Sequence, residues 1–512
     1  MKTILGREFP DYIDGYGKVT PFQGALKEAG IKTRKAVKMK CVNPYDSKLL
    51  DNLEQAFDKL NMKDGMTISF HHHLRNGDYV LNRVVEGLAK RGVKDLTIAA
   101  SAIFPIHEPL VKYIENGVVT GLVANYISGP VAEAISKGKL KKPAIMQTHG
   151  GRARSIESGD LLIDVAFLAA PTADIYGNIN GVYGDSACGT LGYAISDAEY
   201  ADKTIAITDN LVPFPACPIQ ISQIFVDYVV QVESIGNPAG IVSGTTKITK
   251  DPVALIIAKR AAEVIKASGL VKDGMSFQTG AGGTSLAVAL ELKDIMQREG
   301  VVGSFASGGV TEPLVEMLEE GLFKTLFDVQ CFDLKAISSF RNNVTHQAMS
   351  ASMYGNPHTK GAVVNCLDIM ILGATEIDTE FNVNVTTGSN GVIMGGSGGH
   401  SDTAAGSKLS IVVTKLINSR FPKIKDQVTT ITTPGESIDV IVTERGIAVN
   451  PRRADLIEKL SSTNFPLVTI DELKTMAEDI TGVLQTVQTL EKIVAVVEYR
   501  DGSVIDVVRG VY

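Results

Sequence analysis

Hydrophobic and polar positions along the chain alternate between a strand-like and a helix-like period. Short apolar runs lead into polar or glycine-rich turns, which are followed by amphipathic stretches of helical length. This order predicts βαβ units and mostly parallel sheets flanked by helices, and hence an α/β fold. The predicted strands are Thr67–Phe70, Leu96–Ala100, Ser276–Thr279 and Val301–Phe305, and the predicted helices are Tyr79–Lys90 and Ser285–Arg298. Further strand-like runs are Ala144–Gln147, Leu162–Ala169, Thr204–Thr208, Ile369–Leu372, Ile411–Val413 and Ile438–Val442.

Part of this pattern occurs twice. Asp-Gly-Met at 64–66 returns at 273–275, and IHEPLVKYIENGVVTGL at 106–122 matches VTEPLVEMLEEGLFKTL at 310–326. Both pairs keep the same order and nearly the same offset. An internal repeat of this kind predicts two homologous domains, and a ligand site between them.

The repeat sets the predicted domain boundaries. We expect an N-terminal extension at 1–40, a first α/β domain at 41–245 and a second at 246–512. The linker is predicted near Gly236–Gly244, in the stretch GNPAGIVSG.

Composition and charge exclude several classes of protein. The chain has 512 residues, of which 44% are hydrophobic and 21% charged, and its net charge is −7. Nucleic acid is therefore not an expected partner, because phosphate binding needs a basic surface. No apolar run is long enough to cross a membrane, and the charged N-terminus is unlike a signal peptide, so we expect a cytoplasmic protein. The five cysteines are odd in number and contain no CxxC pair, which argues against a disulfide framework or a zinc site.

A glycine-rich turn follows the first predicted strand of the second domain. Gly280, Gly282 and Gly283 lie between that strand and the next helix. Glycines allow close approach of the backbone, and a helix N-terminus presents N–H groups without intrahelical partners. Such amides can hold a phosphate or the oxyanion formed when a thioester carbonyl is attacked, and we predict the second role; tight packing alone is the remaining explanation.

The matching turn of the first domain carries His71, His72, His73 and Arg75. Neighbouring side chains in an extended segment alternate in direction, so a three-histidine metal site is not expected. We predict a cationic pocket for carboxylates instead, to which Arg152 and Arg154 contribute. Surface histidines and a solvated arginine loop are the alternatives.

A second glycine-rich segment spans 387–402. Its predicted ligand-binding residues are Gly395, Gly396, Ser397, Gly398, Gly399, His400 and Asp402. Main-chain N–H groups here can bind a pantetheine or phosphate-bearing arm. A dinucleotide is a poor alternative, because no GxGxxG opens a helix with an acidic residue about twenty positions later.

Several segments resemble the CoA-transferase superfamily, whose members have two homologous α/β halves. GGSGGHSD (395–402) resembles its CoA-binding loop, and APTADIYGNINGVYGD (170–185) and TPGESIDVIVTERGIAVNP (433–451) resemble two further segments. The resemblance to the citrate lyase alpha subunit family is closer and covers essentially the whole chain. It is carried by GREFPDYIDGYGKVTPFQGA (6–25), SFHHHLRNGD (69–78) and MGGSGGHSDTAAGSK (394–408).

This resemblance implies a citrate CoA- or ACP-transferase, which converts acetyl-S-ACP and citrate into citryl-S-ACP and acetate. It implies CoA or the phosphopantetheine arm of an acyl carrier as thioester carrier, with no tightly bound cofactor or metal. It further implies an oligomeric complex with a beta subunit and an acyl carrier (gamma) subunit.

One departure from the superfamily bears on the mechanism. Many CoA-transferases have a nucleophilic glutamate where this chain has Gly308; the nearby Glu312 matches Glu108 of the repeat and is expected to be structural. We therefore expect no glutamyl-thioester intermediate. The alternatives are another CoA-transferase, an acyl-CoA hydrolase or a citramalate lyase alpha subunit, and, from a different class, a non-catalytic sensor of CoA or a sugar phosphate.

Overall fold

The computed structural model describes residues 1–27, 33–36, 43–71, 73–242, 247–483 and 487–512. The strands are β1 (Tyr12–Ile13), β2 (Gly17–Lys18), β3 (Leu49–Leu50), β4 (Thr67–Phe70), β5 (Leu96–Ala100), β6 (Val119–Ala124), β7 (Ala144–Met146), β8 (Val165–Ala170), β9 (Thr172–Asp174), β10 (Ile179–Asn180), β11 (Lys203–Thr208), β12 (Leu211–Val212), β13 (Tyr228–Gln231), β14 (Ser276–Thr279), β15 (Gly303–Val310), β16 (Phe323–Cys331), β17 (His346–Ala348), β18 (Ile369–Gly373), β19 (Glu376–Asp378), β20 (Val383–Asn384), β21 (Leu409–Val413), β22 (Ile417–Asn418), β23 (Phe421–Pro422), β24 (Ile424–Lys425), β25 (Val440–Val442), β26 (Ile447–Val449), β27 (Ile493–Glu498) and β28 (Val504–Arg509).

The helices are α1 (Leu53–Leu60), α2 (Val80–Lys90), α3 (Leu110–Glu115), α4 (Pro130–Ser136), α5 (His149–Ser158), α6 (Gly192–Tyr200), α7 (Pro252–Ala267), α8 (Gly283–Glu299), α9 (Glu312–Glu319), α10 (Leu334–Asn342), α11 (Ala351–Gly355), α12 (His400–Gly406), α13 (Ala454–Ser461) and α14 (Ile470–Thr481).

Two large sheets organise the fold. The first has the order β28-β27-β7-β6-β5-β4-β8-β11-β13-β3, and the second β17-β16-β15-β14-β18-β21-β25-β26. Apart from the β27–β28 and β25–β26 pairs, their neighbouring strands are parallel. The central strands β6 and β8 are buried along their whole length, because helices cover both faces of a parallel sheet. The predicted α/β fold with parallel-rich sheets flanked by helices is confirmed.

The strand order follows the sequence repeat. Strands β7-β6-β5-β4-β8-β11-β13 of the first sheet correspond in order to β17-β16-β15-β14-β18-β21-β25 of the second. Each half also has a small three-stranded sheet, β10-β9-β12 in one and β20-β19-β24 in the other. In both small sheets an aspartate, Asp174 or Asp378, accepts from the amide of an asparagine four residues later.

The C-terminus departs from the predicted domain division. The prediction assigned all of 246–512 to the second domain, yet β27 lies parallel to β7 and, with β28, completes the first sheet. The N-terminal segment joins it there, since the N–H of Val504 donates to Thr20 O and the N–H of Phe22 donates to Val504 O. The predicted boundaries near residues 40 and 245 lie at residues outside the described ranges and stay predictions.

No helix within the described residues combines the length and the apolar character needed to cross a bilayer.

Candidate active site between the two halves

A loop of the second half lies on the carboxyl edge of the first sheet. The N–H of Ile127 donates to Gly395 O at 3.0 Å, and that of Gly398 donates to Asn125 O at 3.1 Å. The N–H of His149 in turn donates to Gly398 O at 2.8 Å. Because β6 ends at Ala124 and β7 at Met146, the 395–398 loop contacts the ends of two neighbouring strands. The two halves thus meet at a strand edge where α/β proteins bind ligands.

The glycine turn after β14 lies on the corresponding edge of the second sheet. The last residue of β14, Thr279, pairs with Ile371 of the neighbouring strand β18. His400 Nε2, which follows the 395–398 loop, lies 2.9 Å from Gly373 O at the end of β18. The turn and the loop therefore lie at the ends of adjacent strands.

The three predicted oxyanion donors are not equivalent. The Gly280 N–H already donates to Ile371 O at 2.8 Å, so its predicted role as an oxyanion donor stays a prediction that this bond does not favour. Gly282 is the N-terminal cap residue of α8, where no side chain caps the helix, and Gly283 is its first residue. Main-chain amides of Gly282 and Gly283 remain candidates.

His71 and His73 are buried after β4, and His71 does not supply the predicted positive charge. His71 Nε2 accepts a hydrogen bond from the Ala169 N–H at 2.9 Å, and its ring centroid lies 4.3 Å from that of His73. Burial lowers the pKa of His71 to about 4, so the ring is neutral at pH 7. His72 lies outside the described residues.

Arg75 is the buried cation of this turn. Its guanidinium lies 4.7 Å from the ring centroid of Phe332 in the second half and 5.4 Å from that of Phe104 in the first. Its one hydrogen bond among the described residues, to Ile241 O, is long at 3.4 Å, and no described carboxylate pairs with it. Burial lowers the pKa of Arg75 to about 10, which leaves it charged at pH 7. Its φ of 51° is a strained value for a non-glycine residue.

The other two predicted arginines are committed to internal carboxylates. Arg152 binds both oxygens of Asp197, at 2.6 and 2.9 Å, and also Ala99 O at 3.0 Å. Arg154 lies 2.5 Å from Asp160. Both side chains are buried and paired with these carboxylates. Their predicted contact with substrate carboxylates stays a prediction that this geometry does not favour. Sequence reasoning missed the partner of Arg152 because Asp197 lies on another helix, α6.

The side chains of the 397–402 segment also point into the protein. His400 Nδ1 bonds to Thr433 Oγ1 at 2.7 Å, and Ser397 Oγ lies 3.0 Å from Ser401 Oγ. Asp402 accepts from Thr148 Oγ1 at 2.8 Å and from the Gly150 N–H at 2.9 Å. Asp402 therefore joins the two halves, and its predicted contact with a thioester carrier stays a prediction.

Close packing accounts for three glycines of this loop. A Cβ on Gly395 would collide with Val385 O, one on Gly396 with Asn125 O, and one on Gly399 with the Tyr354 hydroxyl. Packing within the second half explains Gly395 and Gly399, and packing against the first half explains Gly396. Any ligand they hold must be bound through main-chain atoms.

An aromatic wall, which no motif indicated, lies beside the loop. The ring centroids of His149 and Tyr193 are 4.6 Å apart, and those of His149 and Tyr354 are 6.3 Å apart. The Tyr354 hydroxyl accepts from Gln278 Nε2 at 2.9 Å. These residues come from both halves, which is why local sequence patterns could not group them.

A family comparison decides the assignment. The family model described as "Citrate lyase, alpha subunit (CitF)" matches residues 46–511. The chain belongs to the citrate lyase alpha subunit family. Two relatives named citrate lyase alpha chain, from Haemophilus influenzae and Klebsiella pneumoniae, are 50% and 48% identical to it. Each alignment covers 91% of this chain, and 93% and 91% of the respective relative.

Solved structures agree with membership of the citrate lyase alpha subunit family. A crystal structure from Streptococcus mutans, described as the alpha subunit of citrate lyase in complex with citrate, has a TM-score of 0.96 and 49% identity, with 100% of both chains covered. A 4-hydroxybutyrate CoA-transferase from Porphyromonas gingivalis has a TM-score of 0.53 at 17% identity, covering 84% of this chain and 97% of that one. This second likeness shows the fold alone.

Gly308 has no room for a side chain. Its φ is 109°, and a Cβ would lie 2.6 Å from Gln278 Nε2. Glu312 is exposed at the start of α9, where its N–H donates to Asp333 Oδ2. In this family member, neither position resembles a buried nucleophilic glutamate.

Proposed function

We propose that this chain exchanges the acyl group on the thiol of an acyl carrier. The acetyl thioester of the carrier and citrate are converted into the citryl thioester of the carrier and acetate. The observation that carries the proposal is Arg75, a buried guanidinium that contacts rings of both halves and pairs with no described carboxylate. A buried charge is costly unless an opposite charge compensates it. A citrate carboxylate is the anion that family membership suggests for this position.

The proposed reaction begins with attack of a citrate carboxylate oxygen on the acetyl carbonyl carbon. The carbon–sulfur bond breaks, and a mixed anhydride and the carrier thiolate result. The thiolate then attacks the citryl carbonyl, the anhydride carbon–oxygen bond breaks and acetate leaves. No net proton transfer is needed, because a carboxylate enters and a carboxylate leaves.

The protein's part in this proposal is placement and charge stabilisation. Well-oriented groups gain up to about 7–11 kcal/mol from proximity. The carrier's pantetheine arm would lie along 388–402 and contact main-chain groups. The Gly282 and Gly283 amides are the proposed oxyanion donors, each worth about 2.7–4 kcal/mol if it resembles measured cases.

The absence of a side chain at Gly308 supports a route without a glutamyl intermediate. A glutamate there would displace Gln278 and adopt an unfavourable φ. We therefore propose direct exchange between the bound citrate and the carrier.

The proposal includes an oligomeric complex with an acyl carrier (gamma) subunit and a citryl-cleaving beta subunit. It places the reaction in the cytoplasm, where buried thiols such as Cys188 and Cys331 stay reduced. No further cofactor is part of the proposal.

The test is exchange between acetylated carrier protein and isotopically labelled citrate. We expect label on the carrier and release of acetate, with no release when citrate is omitted. Borohydride and hydroxylamine should trap no protein-bound glutamyl thioester during turnover. A trapped adduct would refute the direct route, and acetate release without citrate would identify a hydrolase. Replacing citrate by citramalate, or the carrier by acetyl-CoA, distinguishes the related transferases.

A further inference from the structure

Three side chains that can bind a metal converge between β16 and β17. Asp328 and Cys331 lie on β16, and His346 is the first residue of β17. The carboxylate, thiol and imidazole atoms of these residues all lie within 4.8 Å of one another. Phe332, which follows Cys331, places its ring 4.7 Å from the Arg75 guanidinium. The group therefore adjoins a residue that borders the proposed citrate site.

One carboxylate oxygen is the centre of the group. His346 Nε2 lies 3.1 Å from Asp328 Oδ2, and the Cys331 thiol donates to the same oxygen at 3.0 Å. Tetrahedral zinc binds its ligands at about 2.0–2.3 Å, which separates the ligand atoms from one another by about 3.3–3.8 Å. A zinc ion would thus fit between these three atoms after side-chain shifts on the order of 1 Å.

Charge also favours a cation at this position. The side chains of Asp328 and His346 are fully buried, and so is Cys331. Within the described part of the chain, Asp328 has one salt-bridge partner, His346, which is charged only if it is protonated. A buried carboxylate is costly unless an opposite charge compensates it. A zinc ion bound to one carboxylate, one thiolate and a neutral imidazole forms a group without net charge, and so removes this cost.

Neighbouring groups hold two of the three side chains from behind. Ser339 Oγ lies 3.0 Å from His346 Nδ1, which leaves Nε2 to face Asp328. The Gln330 N–H donates to Asp328 Oδ1 at 2.8 Å, which leaves Oδ2 to face the thiol and the imidazole. Hydrogen bonds to the far side of histidine and carboxylate ligands are typical of metal sites, because they fix the orientation of the ligand.

The register of the two strands explains why no sequence motif indicates this site. His346 pairs with Leu326 of β16, and residues two apart along a strand share a face of the sheet. The imidazole and the Asp328 carboxylate therefore project to the same side. The chain has no CxxC pair, so the sequence alone argued against zinc.

We propose that Asp328 Oδ2, Cys331 Sγ and His346 Nε2 bind a zinc ion, with a water molecule as the fourth ligand. Thiolate and imidazole ligands favour zinc, whereas magnesium and calcium prefer oxygen ligands. Zinc replaces the thiol proton of Cys331, which leaves to solvent. The imidazole binds as the Nδ1–H tautomer, whose proton Ser339 Oγ accepts. The ion ties β16 to β17 and takes no part in the proposed transfer reaction.

The experiment measures zinc in the full-length chain by inductively coupled plasma mass spectrometry after dialysis against a weak chelator. Wild-type protein should retain zinc in equimolar amount. Cys331→Ser keeps a hydrogen-bond donor for Asp328 but supplies no thiolate, so it should fold normally and bind zinc about 100-fold more weakly or worse. Ser339→Ala removes only the bond behind the imidazole and should weaken zinc binding by about 10- to 100-fold. Cys366→Ala, the matched control, lacks an exposed thiol outside the group and should keep its zinc.

Cobalt(II) provides a readout on the wild type that depends on no variant. Chain stripped of zinc and reloaded with cobalt(II) should show the absorption band of thiolate-to-cobalt charge transfer. Reloading with either metal should raise the urea concentration at the midpoint of unfolding, because an ion that binds only the folded chain stabilises it. A hydrogen-bonded group without a metal role would show neither effect.

Four outcomes would overturn the inference. The first two are a wild-type chain that retains no zinc and a cobalt complex without the thiolate band. The others are zinc binding that Cys331→Ser leaves unchanged and zinc that is lost in Cys366→Ala, since both would show an adventitious ion only.

Discussion

Two buried arginines of the first half differ in what surrounds their guanidinium groups. Arg152 is neutralised by a bidentate pair with Asp197, which lies fully buried beside it. Arg75 has aromatic rings on two sides and no described carboxylate partner. A paired buried charge supports the fold, whereas an unpaired one is available to an anionic ligand.

Arg75→Ala should raise the KM for citrate by roughly 10- to 100-fold, because a hydrogen bond to a charged group is worth about 1.5–3 kcal/mol. Binding of the acetylated carrier should change little. Steady-state kinetics with each substrate varied in turn measures both. Arg75→Lys should recover only part of the affinity, since an ammonium cannot bind a carboxylate in the bidentate geometry.

Arg152→Ala is the matched control and should act on stability instead. Removing the guanidinium leaves Asp197 buried and unpaired, at a cost of about 3–5 kcal/mol in the free energy of unfolding. Urea unfolding measures that loss. A raised citrate KM in a fully stable Arg152→Ala protein would contradict this assignment and restore Arg152 to the substrate pocket.

At the scale of elements, the N-terminus of α5 connects the two sheets. The Thr148 hydroxyl caps this helix by accepting from the Gly151 N–H at 2.8 Å, and it donates to Asp402 at the same distance. One hydroxyl thus satisfies a helix end in the first half and a carboxylate from the second.

Thr148→Ala should lower the free energy of unfolding by about 1–2 kcal/mol through the lost cap, with a further loss from Asp402. Thr148→Ser should remain close to wild type, because serine supplies the same donor and acceptor. Thermal and urea unfolding of the two variants measures the difference. Equal destabilisation by serine and alanine would show that the methyl group, and not the hydroxyl, matters.

Elements with strong local signals were predicted well from sequence. Strands Thr67–Phe70, Leu96–Ala100 and Ser276–Thr279 have the predicted bounds, since buried parallel strands are short apolar runs between turns. The hydrogen bond of the Gly280 N–H was not predictable, because its partner, Ile371, belongs to a strand that is distant in sequence. Side-chain partners such as Asp197 for Arg152 were unpredictable for the same reason.

For the whole molecule, Asp402 is a buried carboxylate between the halves. Burial raises the pKa of Asp402 to about 6, against the opposing effects of Arg500, the Gly150 N–H and the Thr148 hydroxyl. At pH values between 3.8, the ordinary pKa of an aspartate, and about 6, Asp402 therefore keeps a proton in the folded protein that it has released in the unfolded chain. By linkage, the contribution of Asp402 to stability is fully present below pH 3.8, the ordinary pKa of the group, and is lost as pH rises through about 6, its pKa in the folded protein.

Asp402→Asn removes this titration. The stability of the wild type relative to the variant should fall between about pH 4 and 6, by up to about 3 kcal/mol. Urea unfolding of both proteins at several pH values measures the difference. A difference that is constant with pH, or that grows as pH rises, would contradict the assigned shift.

The arrangement of the site was predictable only at this largest scale. The repeat suggested that loops of both halves meet, and the 395–398 loop does lie on the ends of β6 and β7. Which side chains face the space between them depends on packing across that contact. Tyr193, Tyr354 and Asn125 carry no motif and became recognisable only when the halves were brought together.

The C-terminal hairpin has a consequence for biosynthesis. Because β27 pairs with β7, the first sheet lacks two of its strands until the ribosome has passed the strands of the second sheet and made β27 and β28. The first half therefore emerges with an open strand edge while the whole second half is still being translated. Such an edge invites pairing with other nascent chains. Synthesis of β27, not completion of the first half, is the step that covers the edge of β7.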